Sequence, residues 1–149
     1  MKIVATNRRA RFDYEITKKL LAGLVLAGHE VKSAKNGSMS LKGSFVSFRG
    51  GEAWLTNAHI TQYKHATGLK DYEPTQSRKI LLHRRELDEL QAAIQSDGMT
   101  VVPLAVGVER GLVKVELGVG RGKKRYDKRE LIRKRDMLRD ADRDVRAKK

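Results

Sequence analysis

The first part of the chain combines a helical spacing of apolar residues with an alternating one. In residues 14–22, Ile16, Leu20 and Leu21 fall at positions that share one face of a helix. This spacing predicts a short amphipathic helix there. Residues 24–33, LVLAGHEVKS, instead alternate between two faces, which predicts a strand.

The middle of the chain predicts one hairpin and one irregular excursion. Two β-prone runs flank Gly50 and Gly51, and glycine adopts the positive φ that a tight hairpin turn requires. The lone tryptophan, Trp54, lies in the second run and is interpreted as a core residue. Residues 65–78 are polar, contain Pro74 and lack a period, which predicts a surface loop.

The second half predicts one helix and a second hairpin. Residues 84–97 carry apolar side chains at i, i+3 and i+7, and Gly98 follows as a C-terminal cap. Residues 99–108 and 112–120 are β-prone, and the alternation of the second run predicts that one of its faces lies in the core. The fold predicted is mainly β with peripheral helices, a small closed OB-like barrel.

Charge is concentrated at the two ends. The chain has 149 residues, with 32 Lys and Arg against 18 Asp and Glu, a net charge of +14. Residues 1–12 have a net charge of +4, residues 13–120 of +2 and residues 121–149 of +8. A nearly neutral domain with basic extensions is typical of proteins that bind a polyanion, above all nucleic acid, although a basic membrane-surface tail has the same composition.

The division into domains follows from this change of composition. Residues 1–122 are predicted to form the barrel with a basic N-terminal arm, and residues 123–149 a basic tail. The tail carries only a thin apolar stripe, which includes Leu131, Leu138 and Val145. Such a stripe does not offset an ordering cost of about 1 to 2 kcal/mol per residue, so the tail is expected to be disordered alone and helical against a partner.

Several classes of function are disfavoured. The sequence has no cysteine and no paired histidine motif, so no metal site and no cofactor are predicted. In GVGRGKK at 118–124, the spacing from glycine to lysine is one residue shorter than in a phosphate-binding loop, and no Ser or Thr follows the lysine. Its glycines are therefore interpreted as allowing the strand end to approach an RNA backbone or the chain to exit into the tail. No catalytic triad is evident, and the protein is expected not to be an enzyme. The apolar runs are too short to span a membrane, and a cytoplasmic location is expected.

Two long motifs resemble one family. The chain contains two motifs similar to signatures of the SsrA-binding protein (SmpB) family, GLVLAGHEVKS at 23–33 and VKVELGVGRGKKRYDKRE at 113–130. Four further segments match the family pattern in the same order along the chain: NRRARFDYEI at 7–16, AHITQY at 58–63, RKILLHRREL at 78–87 and VPL at 102–104. The resemblance implies a trans-translation factor. Such a protein binds the tRNA-like domain of transfer-messenger RNA (tmRNA), stands in for its missing anticodon arm and accompanies it to stalled ribosomes. The tail would enter the message channel of the small subunit, and the protein would act as a monomer without a membrane partner.

The resemblance also implies which residues contact the partners. The RNA-facing residues would be Asn7, Arg8, Arg9, Arg11, Glu30, Lys32, Arg121, Lys123 and Lys124. Those facing the ribosome would be Tyr126, Asp127, Lys128 and Arg129, with Tyr126 stacking on a ribosomal RNA base. From the residues alone, Glu30 is either a solvated strand carboxylate or a specific hydrogen-bond acceptor. The alternative function is a structural ribosomal protein or a general RNA-binding OB-fold protein, and an OB-type nuclease is the third class.

Overall fold

The computed structural model describes residues 1–63 and 71–123, and in the tail Ile132, Arg133, Arg135 and Met137. The strands are β1 (Lys2–Thr6), β2 (Tyr14–Leu24), β3 (Met39–Ser40), β4 (Phe45–Arg49), β5 (Glu52–Thr56), β6 (His59–Ile60), β7 (Arg78–Leu81), β8 (Thr100–Glu109) and β9 (Leu112–Gly122). The helices are α1 (Arg8–Asp13), α2 (Gly28–Lys35) and α3 (Arg84–Asp97).

Seven strands form one antiparallel sheet in the order β1-β8-β9-β2-β7-β5-β4, and β3 pairs with β6 separately. The long hairpin of β8 and β9 provides the second and third strands of this order. Its inward side chains, including Val106, Val115 and Leu117, have no exposed surface and form the main core. The predicted mainly-β class with peripheral helices and an antiparallel sheet is therefore confirmed.

Glycines with positive φ angles lie at the β4–β5 turn and at the end of α3, two elements that the sequence predicted correctly. The β4–β5 hairpin turns at Gly50 and Gly51, whose φ angles are 58° and 74°. Helix α3 begins after His83, whose backbone N–H donates to Glu86 at 3.0 Å, and ends at Gly98 with a φ of 64°. The β8–β9 hairpin is also confirmed. Of the predicted loop, residues 71–77 are irregular and residues 65–70 lie outside the described part of the chain.

The predicted helix over residues 14–22 is wrong, because this segment belongs to β2. It pairs with β9 from Tyr14 opposite Gly122 onward, and the register shifts between Ile16 and Lys18. Such a bulge breaks the alternation of the strand and leaves a spacing that imitates a helix. The same strand pairing explains one glycine of β9. A Cβ at Gly120 would overlap the Glu15 carbonyl oxygen, so Gly120 allows β2 to approach β9 closely.

The predicted strand over residues 24–33 is also wrong. Residues from Gly28 onward form α2, and Glu30 occupies its third position, where the carboxylate Oε1 accepts the Ala27 backbone N–H at 3.1 Å. The buried face of α2 consists of Glu30, Ser33 and Ala34, at i, i+3 and i+4. Because two of these side chains are polar, the helical period is invisible in a hydrophobicity pattern.

The interpretation of Trp54 as a core residue is wrong too. On β5 the inward positions are Ala53 and Leu55, so Trp54 lies half-buried on the opposite face. Its ring lies under the Arg49 guanidinium at 5.4 Å. The four described tail residues are helical, and the other residues on which the tail prediction rests lie outside the described part of the chain.

Candidate nucleic-acid interface

The short helix α1 carries three exposed arginines within four residues. The only buried residue of α1 is Ala10, which packs in a small apolar cluster with Val102 and Leu104 of β8. Anchoring a six-residue helix by one alanine leaves Arg8, Arg9 and Arg11 exposed. Helix α1 therefore presents three guanidinium groups on the outer side of the β8–β9 hairpin.

Both ends of α1 are fixed by hydrogen bonds to strands. Before the helix, Asn7 donates its backbone N–H to Leu104 O and its side-chain amide to Pro103 O, both at 2.8 Å. After it, Lys123 donates its backbone N–H to Asp13 O at 2.7 Å and its ammonium to Arg11 O at 2.8 Å. A lysine at the carbonyl end of a helix also complements the helix dipole. Asn7 and Lys123, both predicted to face RNA, thus hold the cationic helix in place.

The guanidinium groups differ in their protein partners. Arg9 pairs with Asp13 at 3.6 Å and lies over the Phe12 ring at 5.5 Å. Within the described residues, Arg8, Arg11 and Arg121 form no ion pair. Arg121 is exposed at the end of β9, where this strand meets the start of β2 beside α1. We call Arg8, Arg9, Arg11, Arg121 and Lys123 the α1 cluster.

Lys32 belongs to a different part of the surface. It lies exposed on α2, with its ammonium 5.6 Å from the centre of the Tyr63 ring. The neighbouring Ser33 hydroxyl donates to Thr61 O at 2.6 Å, which holds this side of α2 against the segment after β6. The described contacts place Lys32 beside Tyr63 and not beside α1.

Glu30 is buried, so of the two interpretations that the sequence left open it is a specific hydrogen-bond acceptor and not a solvated strand carboxylate. Its side chain is 3% exposed and pairs with Arg78, whose side chain is 2% exposed, at 2.5 Å. Its Oε2 also accepts the Tyr72 hydroxyl at 2.8 Å and the Gln76 amide at 3.3 Å. A carboxylate enclosed by protein donors has no surface to offer a base, so its assignment as an RNA contact is wrong for this structure.

Arg78 joins four segments of the fold. Besides two hydrogen bonds to Glu30, it donates to Ala58 O at 2.6 Å, to Pro74 O at 2.9 Å and to the Tyr72 hydroxyl at 3.1 Å. These bonds connect α2, the loop before β7, the segment before β6 and β7 itself. The buried network therefore positions α2, and with it Lys32.

The network shifts two pKa values in opposite directions. Burial raises the pKa of Glu30, but the Ala27 N–H, the Arg78 guanidinium and the Tyr72 hydroxyl outweigh it, so this pKa lies below its ordinary value of 4.5. Burial, followed by the hydrogen bond to Glu30 and the Glu30 charge, raises the pKa of Tyr72 to about 12. At neutral pH the network holds a carboxylate, a guanidinium and a neutral phenol.

Sequence reasoning missed Arg78 and Tyr72. One signal was available: Glu30 lies three residues after Ala27, the spacing at which a glutamate caps a helix N-terminus. A helix starting there would have placed the Glu30 carboxylate on the buried side. Nothing in the residues around Arg78 marks it as its partner, because the two are 48 positions apart. The remaining predicted site residues, Lys124, Tyr126, Asp127, Lys128 and Arg129, lie outside the described residues.

Two negative findings apply to the described residues alone. No group of three or more His, Asp or Glu side chains there could hold a metal ion. No helix in that part of the structure is long and apolar enough to cross a membrane.

Comparisons with known proteins agree with one another. A family model described as SmpB protein matches residues 4–147. An SsrA-binding protein from Synechococcus sp. (strain JA-3-3Ab) is 45% identical over 148 residues, 99% of this chain and 96% of the relative. Another, from Acetivibrio thermocellus, is 48% identical over 142 residues, 95% and 92% of the two chains. A solved structure described as "tmRNA-SmpB: a journey to the center of the bacterial ribosome" contains a 42% identical chain with a TM-score of 0.65, covering 86% of this chain and 93% of that one.

Proposed function

Because this chain belongs to the SsrA-binding protein (SmpB) family, we propose that it is an RNA-binding adaptor of trans-translation. It binds the tRNA-like domain of tmRNA, stands in for the anticodon arm and delivers the RNA to stalled ribosomes in the cytoplasm. It acts as a monomer and without catalysis of its own. The observation that carries the proposal is the α1 cluster, a set of cationic side chains held on a rigid sheet.

The geometry of the α1 cluster suits a folded RNA. Arginine binds phosphate through two parallel donors and stacks on bases, and phosphate contacts contribute most of the non-specific affinity for nucleic acid. Arg8, Arg11 and Arg121 supply these donors, and Arg9 adds a guanidinium that Asp13 and Phe12 orient. Asn7 and Lys123 fix the helix, so little ordering of the backbone has to accompany RNA binding.

The remaining predicted contacts extend this surface. Lys32, beside the Tyr63 ring, and Lys124, next to Lys123 in the chain, contribute further charge toward the RNA. Tyr126, Asp127, Lys128 and Arg129 face the ribosome, with Tyr126 stacking on a base of the small-subunit RNA. Glu30 takes no part in RNA contact and acts through α2.

The architecture proposed is an OB-like closed barrel over residues 1–122 with a functional tail over 123–149. Closure is supported by contacts beyond the paired order, since the edge strand β4 also lies against β8, and the other edge strand, β1, lies against β3. The tail enters the message channel as a helix. The change of composition after Gly122 supports this division.

A reconstituted tagging assay tests the proposal. Ribosomes stalled on a truncated message are supplied with tmRNA and either the full chain or a chain truncated after Tyr126. The full chain should support tagging of the nascent peptide, and the truncated chain should bind the tRNA-like RNA but fail to support tagging. A full chain that neither binds this RNA nor supports tagging would instead favour a structural ribosomal or general RNA-binding protein.

A further inference from the structure

A groove beside α1 contains one carboxylate among cationic and apolar surroundings. The groove has a volume of about 370 Å³. Leu104 and Ala105 line it with apolar surface, Arg8 and Arg11 with guanidinium groups, and Glu116 with its carboxylate. Thr6 and Asn7 complete the lining. The space is of the size that admits a small organic ligand.

The strand geometry explains why Glu116 faces this side. On β9 the neighbouring residues Val115 and Leu117 point into the main core, so Glu116 points to the opposite face. Its direct cross-strand neighbours, Leu21 and Ala105, carry no charge. Within the described residues, no hydrogen bond or ion pair is formed by the half-buried Glu116 carboxylate.

A carboxylate at this place is unfavourable for a surface that binds only phosphate. Its negative charge opposes the phosphate attraction of Arg8 and Arg11, and its partial burial removes some of its hydration. Both penalties are offset if a ligand brings hydrogen-bond donors to it. RNA bases that are not paired offer such donors on their Watson–Crick edges.

The arrangement of donors selects among the four bases. Guanine presents two adjacent donors, N1–H and the N2 amino group, which match the two oxygens of one carboxylate. Adenine and cytosine each place one donor next to an acceptor, and uracil places one donor between two acceptors. An acceptor directed at a carboxylate is repelled, so guanine is the base that fits.

We propose that this groove binds one unpaired guanine of the RNA that the α1 cluster holds. Glu116 accepts the guanine N1–H and N2–H, Leu104 and Ala105 contact the face of the base, and Arg8 and Arg11 bind the adjoining phosphates. This inference rests on the proposed function, since it names the base recognised at the same surface.

The test uses the full chain and ten-residue oligouridylates that carry a single central G, A, C or U. Fluorescence anisotropy at one fixed salt concentration should give about tenfold tighter binding of the G oligomer, the discrimination typical of a bidentate contact to a base. E116Q should abolish this preference with an unchanged thermal midpoint. The matched control is E15Q, which removes the same charge from exposed β2 beside Arg121, outside the groove. It should strengthen binding of all four oligomers equally and retain the preference for G.

Two results would overturn the inference and leave the proposed function standing. One is equal binding of the four oligomers by a wild-type protein that still binds the tRNA-like RNA. The other is an E116Q protein that retains the preference for G. A wild-type protein that does not bind the tRNA-like RNA at all would overturn the proposed function and this inference with it.

Discussion

Replacing Glu30 by alanine should destabilise the protein strongly, because the change leaves a charged guanidinium buried. Arg78 would lose its carboxylate partner and two of its five hydrogen bonds, and its remaining partners would be two carbonyls and a neutral phenol. Removing one member of a buried ion pair costs about 3 to 5 kcal/mol. Each kcal/mol lowers the thermal midpoint of a protein of this size by roughly 2 to 4 °C, so a fall of at least about 6 °C is expected.

Urea denaturation followed by circular dichroism at pH 7 measures this free energy of unfolding. Glu89→Ala is the control, since Glu89 pairs with Lys18 at 3.4 Å with both side chains more than half exposed. That substitution should cost less than about 1 kcal/mol. The double variant Glu30→Met with Arg78→Met leaves no isolated charge. Its loss of unfolding free energy should therefore be smaller than the losses of the single variants Glu30→Met and Arg78→Met added together.

The Glu30–Arg78 pair also makes the stability of the fold depend on pH. The pKa of Glu30 is lowered in the folded protein, so its contribution is present above the unfolded value of 4.5 and is lost as the pH falls through the folded value. The wild type should therefore lose more stability below pH 4.5 than Glu30→Gln does. A Glu30→Ala protein within about 1 kcal/mol of wild type at pH 7, or single costs that simply add in the double variant, would refute the reasoning.

Three further predictions concern single positions. The pKa of Tyr72 is raised from 10.0 to about 12, so its contribution to stability is complete below pH 10 and is lost between pH 10 and 12. The difference in unfolding free energy between wild type and Tyr72→Phe should therefore shrink over this interval. Gly120→Ala should cost about 1 to 3 kcal/mol by forcing β2 and β9 apart, whereas Gly122→Ala, with no atom within 4 Å of its new Cβ, should cost far less when both are unfolded in urea. Lys123→Ala should lower stability at low salt by about 0.3 to 1 kcal/mol, and 1 M salt should remove most of the difference.

The sequence predicted best where local chemistry decides the structure. Helix α3 has an apolar stripe, a glutamate at its third position and a glycine after its end, and each feature acts within a few residues. The β4–β5 hairpin likewise depends on Gly50 and Gly51. These elements are confirmed because no distant contact is needed to specify them.

The two wrong elements depend on contacts distant in sequence. The bulge between Ile16 and Lys18 arises from the pairing of β2 with β9, about a hundred residues away. Helix α2 buries Glu30 against Arg78, and only the folded arrangement makes a charged residue a core residue. The candidate site shows the same contrast between local and distant information. The arginines of α1 are evident in the sequence, whereas the groove beside Glu116 forms only when β9, β8 and α1 pack together.

The dependence of RNA affinity on salt tests most directly the claim that the α1 cluster binds the phosphates of the tRNA-like RNA. The measurement is the slope of log K against log salt for the full chain, for Arg8→Ala with Arg11→Ala, and for a control with Arg84→Ala and Arg85→Ala on α3. The slope is negative, and each neutralised phosphate contributes about 0.7 to 0.9 to its magnitude. If each α1 arginine neutralises one phosphate, the first variant should make the slope less steep by about 1.4 to 1.8, and the control should leave it unchanged. An unchanged slope in the α1 variant, or an equal fall in the α3 control, would contradict the account.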